Sequence, residues 1–451
     1  MLKLLDNRRR YTLAWWLAVP LVMLYLLARS LRQREYRAHW GERFLGRGAR
    51  SGDAQPVIWV HAVSVGETRA AQPLVEALAA QLPAAQFMLT HMTPTGRAVG
   101  EAIVRAAPGR VQQRYLPYEL PFAQARFLRE VRPALGVILE TEVWPNLMAS
   151  AHAAGVPVAL VNARLSEKSL ARALRLPALM REAASRFAWV GAQTAADQAR
   201  LAQLFAGPLE VTGNLKFDLA PDPQQIEAGR ATRARLGRPV WLLASTREGE
   251  EALLLDALRG GQVDGTAPAA TAPAWLVVPR HPQRFDAVAA LFAARGLVVR
   301  RRSQGARLEA LAPGEVYLGD TMGELPWYYG AADAAVIGGS LLPFGAQNLI
   351  EAAACGCPVI LGPSTYNFAQ AAQDALAAGA AVQVADATAA VQALAALTAD
   401  PARQSAMRAA ALAFAQAHRG ATARTAERLA QWLLARGPGG AGAPATSSVA
   451  R

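Results

Sequence analysis

The strongest constraint on the fold of this chain is a pattern that occurs twice: short apolar runs alternating with helix-length segments. The first series comprises Pro56–Val63, Gln86–Thr90, Leu135–Leu139, Val156–Val161, Trp189–Ala192 and Glu210–Thr212, with a helical stretch Thr68–Gln81 and a turn Thr93–Gly96 leading into another helix. The second comprises Pro239–Ala244, Trp275–Val278, Leu297–Val299, Val316–Leu318, Ala334–Ile337 and Val359–Leu361. Strands this short and this apolar are buried on both faces, which is the signature of parallel βα units. At 451 residues the chain exceeds one ordinary core. The expectation is therefore two doubly wound α/β domains, 37–218 and 239–436, joined by a polar linker with one helix at 219–238. Ligands of such sheets bind at the C-terminal ends of the strands, here in a cleft between the domains. The segment Gly260–Pro273 reads as a surface loop and 437–451 as a disordered tail.

The first 36 residues form a separate element. Tyr11–Ala28 is an 18-residue run without a charge, flanked on both sides by arginines. As a helix it is about 27 Å long, near the thickness of a bilayer core. Trp15, Trp16 and Tyr25 suit the membrane interface. The arginines on both flanks leave its orientation open, and Pro20 leaves both a span and a shallow insertion possible. Residues 1–50 hold +8 of the chain's formal charge of +13. The basicity thus belongs to one end beside the anchor, where it attracts anionic lipid headgroups and does not describe a nucleic-acid surface. Cys355 and Cys357, a C-x-C pair without further ligands nearby, read as small core residues.

Several strand ends carry residues suited to chemistry. In HAVSVGE, Glu67 at the start of a helix reads equally well as a general base for a hydroxyl acceptor or as a carboxylate placed against the helix dipole. ILETEVWPN puts Glu140 and Glu142 at another strand end, and GNLKFD puts Lys216 near the close of the first domain. In the second domain, Ser245 and Glu248 have the spacing of a capping box. Arg280 follows a strand and suits a phosphate ester, whereas His281 reads as structural. Gly319–Leu325 is a further turn, with backbone groups able to frame a base. The turn Gly338–Ser340 ahead of a helix starting at Asn348 brings N–H groups together as for an anion, with Glu351 in the first helical turn suited to a ribose diol. No D-x-D or Cys/His constellation suggests a catalytic metal.

Taken in order, WGERF (40–44), HAVSVGET (61–68), MTPTG (92–96), LPYELP (116–121), ETEVWPN (140–146), NARLS (162–166), GNLKFD (213–218), STREGEE (245–251), PRHPQRF (279–285), GDTMGEL (319–325) and GPSTYNF (362–368) resemble the 3-deoxy-D-manno-octulosonic acid (Kdo) transferases of lipopolysaccharide assembly. The resemblance spans roughly Arg37 to His418. It implies a GT-B fold of two Rossmann-like domains with an N-terminal membrane anchor. The implied reaction is transfer of Kdo from CMP-Kdo to a lipid A precursor (lipid IVA), inverting and without metal or other cofactor, at the cytoplasmic side of a bacterial inner membrane. By motif, Glu67 corresponds to the base, and Glu140 and Lys216 to residues that stabilise the transition state. Pro279, Arg280, Met322, Gly323, Glu324, Asn348, Leu349, Ile350 and Glu351 correspond to the CMP site. One departure is Gln347, where many relatives carry histidine. The rival readings are a GT-B enzyme using a UDP-sugar and a membrane-tethered nucleotide sensor without turnover.

Overall fold

The computed structural model describes residues 6–49, 55–260 and 272–435, with the side chains of 259 and 260 excepted. The chain divides into two compact units, one formed by 1–219 and 419–451, the other by 220–418. Most of the expected loop 260–273 and all of the tail 437–451 lie outside the described residues.

The first unit is built on a seven-stranded sheet: β1 (Val57–His61), β2 (Gln86–His91), β3 (Val111–Tyr115), β4 (Pro133–Leu139), β5 (Val158–Ala163), β6 (Phe187–Ala192) and β7 (Leu209–Val211). All neighbours are parallel, in the order β3-β2-β1-β4-β5-β6-β7. The order reverses direction between β1 and β4, so the loops leaving those two strands diverge onto opposite faces and leave room for a ligand. β1 is buried at every position, as a central strand covered on both faces requires. One apolar layer joins Ile58, Val60, Leu74, Leu78 and Leu89; the other joins Trp59, Phe127, Ile138 and Leu147.

The second unit repeats the plan with β8 (Val240–Thr246), β9 (Ala274–Pro279), β10 (Val298–Arg301), β11 (Glu315–Leu318), β12 (Ala334–Ile337), β13 (Val359–Leu361) and β14 (Ala381–Gln383). Its order is β10-β11-β9-β8-β12-β13-β14, again all parallel, with the reversal between β8 and β12.

Two domain boundaries differ from expectation. The stretch expected as a linker carries the helix Pro223–Leu236, which is packed into the second unit. It crosses the helix Leu325–Ala331 at a pair of glycines: a Cβ on Gly330 would lie 2.3 Å from the Ile226 carbonyl oxygen, and one on Gly229 would lie 2.2 Å from that of Trp327. The final helix, Ala421–Ala435, belongs to the first unit. Its Ala421, Ala426, Leu429 and Ala430 join the core around Leu74 and Leu78. Asp218 caps this helix, accepting from the Gly420 and Thr422 amides at 2.6 Å each. The pairing is distant in sequence, and this is why local periodicity assigned the helix to the domain that precedes it.

Candidate active site

Glu67, Glu140 and Lys216 converge at the reversal point of the first sheet. The loop after β1 enters the helix Val65–Gln81 through a Ser64 cap. Ser64 Oγ accepts from the Glu67 amide at 3.4 Å, and the Glu67 carboxylate accepts from Ser64 Oγ at 3.0 Å and from the Val63 amide at 2.8 Å. This is a capping box that holds the carboxylate at the helix tip. The MTPTG turn braces the loop from behind, with Thr93 Oγ1 donating to the Val63 carbonyl at 3.1 Å. Glu67 is only 9% exposed. Burial, reinforced by the charge of Glu140, raises its carboxyl to about 7.

Glu140 follows β4 directly and adopts φ +62°, a left-handed conformation that a non-glycine residue occupies at a cost of about 1–3 kcal/mol. Lys216 Nζ donates to its Oε1 at 2.7 Å, and Arg164 Nε to its Oε2 at 3.3 Å. Burial alone would push Glu140 up; the two cations outweigh it and hold the carboxyl below its ordinary range. Lys216 is set in place by Asn214, whose side chain accepts from the Lys216 amide, while Asn162 at the end of β5, also with positive φ, accepts from the Leu215 amide at 3.0 Å. Glu142 takes the indole N–H of Trp144 at 2.5 Å and is pushed up by burial. Two adjacent carboxyls with opposite tuning give one group able to accept a proton near neutrality and one that stays charged. Arg164, in the NARLS motif, is a member of this cluster that motif reading passed over; its spacing from Glu140 becomes meaningful only once β4 and β5 are paired.

In the second unit the candidate donor residues lie at C-terminal strand ends: Pro279 and Arg280 at β9, Met322–Glu324 after β11, and Asn348–Glu351 after β12. Arg280 Nε donates to Gln347 Oε1 at 2.9 Å, which ties the first segment to the third. The Gln347 amide thus serves as a neutral partner to arginine. Asn348 caps the short helix Leu349–Ala354, accepting from the Ile350 amide at 3.2 Å. Leu349 and Ile350 are buried, and Glu351 lies in the first turn. Glu324 receives Arg302 Nη2 at 2.7 Å and also bonds the Thr321 hydroxyl, so its carboxylate braces its own turn. Met322 is exposed.

Two expectations are corrected here. The Gly338–Ser340 turn is not an open nest of amides. The buried carboxylate of Glu250 already accepts from the Gly339 amide at 2.6 Å and the Leu341 amide at 3.1 Å, and the Gly338 amide bonds the Ala244 carbonyl. Glu250 also accepts from the Arg247 amide at 2.8 Å, so the capping interaction is Arg247–Glu250 rather than Ser245–Glu248. Ser245 lies within β8 at φ +58°, and Glu248 pairs with Arg247 and Arg284. Gly338 remains essential for close approach, because a Cβ there would sit 2.2 Å from the Ser245 carbonyl oxygen. The positive groups at this edge are Arg280, Arg284 and Arg247, the last stacked 4.4 Å over Phe344. Burial and these neighbouring arginines lower His281, leaving it neutral near pH 7.

Two seven-stranded parallel units, each with its candidate residues beyond the C-terminal ends of its strands, define a GT-B glycosyltransferase fold. Solved structures share it: the Anabaena protein HepE in complex with UDP superposes with a TM-score of 0.55 at 15% identity, over 84% of this chain and 99% of that one. UDP-GlcNAc 2-epimerase from Neisseria meningitidis gives 0.56 at 14% identity, over 84% and 100%. At such identity the likeness concerns the fold. Sequence similarity goes further. Residues 38–219 match the family model described as 3-deoxy-D-manno-octulosonic-acid transferase, and 308–413 match glycosyl transferases group 1. A 3-deoxy-D-manno-octulosonic acid transferase of Bordetella pertussis is 49% identical over 95% of this chain and 100% of its own length; one of Haemophilus influenzae is 35% identical over 79% and 82%. The chain belongs to the Kdo transferase family, glycosyltransferases of lipopolysaccharide biosynthesis.

Proposed function

We propose that this protein transfers Kdo from CMP-Kdo to a hydroxyl of a lipid A precursor such as lipid IVA, with inversion at the anomeric carbon. The observation that carries the reading is the cluster of Glu67, buried at its helix tip, with Glu140 held by Lys216 and Arg164. Glu67, raised to about 7, takes the acceptor proton as the new C–O bond forms. The bond from the anomeric carbon to the CMP phosphate breaks, its electron pair leaving on the phosphate oxygen. Glu140, kept charged by Lys216 and Arg164, keeps Glu67 basic, and Lys216 places positive charge beside the reacting groups. CMP binds through Pro279–Arg280, the backbone of Met322–Glu324 and the Asn348–Glu351 turn, with the arginines at that edge rather than the glycine turn meeting the phosphate. The helix Arg8–Ser30 is long and apolar enough to cross a membrane. It anchors the enzyme to the bacterial inner membrane, beside anionic headgroups, with the catalytic units on the cytoplasmic side.

The test is Glu67→Ala assayed for both transfer and nucleotide binding. Transfer falls by about 10²–10⁴-fold, the usual contribution of a general base, while CMP still raises the melting temperature. Near-normal turnover would reduce Glu67 to a helix cap. Thermal protection by UDP and not by CMP would replace the proposed donor with a UDP-sugar.

A further inference from the structure

The helix Arg8–Ser30 has two unlike faces. One is docked along its length on the first unit. Arg8 pairs with Glu182 at 3.3 Å, Thr12 Oγ1 donates to Asn146 Oδ1 at 2.8 Å, and Trp15 stacks on Tyr118 at 6.3 Å. Val19, Val22 and Leu26 then pack into a cluster with Tyr36, Phe44, Leu120 and Ala123. Contacts at 8, 12, 15, 19, 22 and 26 recur every three or four residues, which covers about 27 Å of helix. The opposite face presents Leu13, Leu17, Leu21, Leu24, Leu27 and, just past the helix, Leu31, with Leu17 72% and Leu31 79% exposed. Trp16 stacks on Phe122 at 5.4 Å, and both rings are partly exposed, which extends the apolar strip onto the body of the unit.

We propose that this helix lies in the plane of the membrane, its Leu13–Leu31 strip and Phe122 immersed in one leaflet while its other face stays docked on the first unit. The inference rests on the membrane reading above and specifies its geometry. A spanning helix would have to leave its docked face, exposing Tyr118, Leu120 and Ala123 to water and carrying the Thr12 and Arg8 contacts away from their partners. Charge points the same way. Arg9 and Arg10 at one end and Arg29, Arg32, Arg34 and Arg37 at the other are all exposed. A span would send these two clusters to opposite surfaces, whereas an in-plane helix sets both against the same anionic headgroups.

The experiment uses the full chain bound to vesicles of phosphatidylethanolamine and phosphatidylglycerol, spin-labelled in turn at Leu13→Cys, Leu21→Cys and Leu31→Cys. The native Cys355 and Cys357 are buried and take no label. Immersion depth is read from oxygen against nickel relaxation. In-plane seating gives three similar depths, about 5–10 Å below the headgroup boundary. Leu21 near the midplane with Leu13 and Leu31 at opposite surfaces, about 27 Å apart along the axis, overturns the seating and leaves the membrane reading standing. No vesicle binding by the unsubstituted chain overturns both. A variant carrying Leu17→Glu and Leu21→Glu, both at exposed positions, loses about 10²-fold or more in vesicle partitioning. If that variant instead keeps vesicle binding and abolishes a dimer of the parent chain, the strip is a self-association face and the proposal fails.

Discussion

Replacing Glu67 by glutamine should stabilise the protein in alkaline solution and much less in acid. The folded carboxyl sits at about 7 against an ordinary 4.5. A carboxyl raised in this way is kept neutral by folding, so its favourable contribution is full below pH 4.5 and is withdrawn as the pH rises through 7. At about 1.4 kcal/mol per pH unit the whole withdrawal is about 3 kcal/mol, of which about 2–3 falls between pH 5 and pH 8. Glutamine does not titrate. It retains an acceptor for the Val63 amide or the Ser64 hydroxyl, and whatever it loses in that capping box is the same at both pH values. The difference between variant and wild-type melting temperatures should therefore be larger at pH 8 than at pH 5 by about 5–10 °C for a folding unit of this size. Scanning fluorimetry of both full-length proteins at the two pH values measures it. An equal difference at both would mean that Glu67 titrates as a solvated carboxylate, and the argument for a base poised near neutrality would fall.

Two further outcomes follow from the same geometry. Glu140→Gln removes the second contributor to the rise of Glu67 and takes one negative charge from beside Lys216 and Arg164. The acid limb of kcat/KM should move to lower pH by about one unit, alongside a loss of rate, and an unmoved limb would uncouple the two carboxyls. Gly330→Ala sets a methyl 2.3 Å from the Ile226 carbonyl oxygen, backbone against backbone, so only helix separation relieves it. A loss of about 3 kcal/mol is expected by denaturant titration, and an unchanged midpoint would show that the crossing yields freely.

Much of the fold was legible because buried parallel strands are nearly continuous apolar runs. β1, β4, β9 and β12 announce themselves in this way. β3 escaped because its sequence, VQQRY, pairs with a single neighbour and carries glutamines at half-buried positions. β14, three residues in an alanine-rich stretch, has no pattern of its own. The Ser245–Glu248 spacing looked like a cap, yet Ser245 was already committed to a strand. Spacing reports which bond is possible and not which is made.

The sequence by itself determined the two βα successions, the apolar helix near the N-terminus, the positions of Glu67, Glu140 and Arg280 beyond strand ends and that of Lys216 near the close of the first domain, since each depends on residues close along the chain. Only the tertiary structure decided what those residues have become. Glu250 fills the glycine turn, Arg164 joins Lys216 on Glu140, the last helix returns to the first unit, and the first helix has a docked face and a bare one. Burial and the field of neighbouring charges depend on distances across strands and helices, which no local pattern records. The same carboxylate is an ordinary cap in water and a proton acceptor near neutrality once buried beside Glu140.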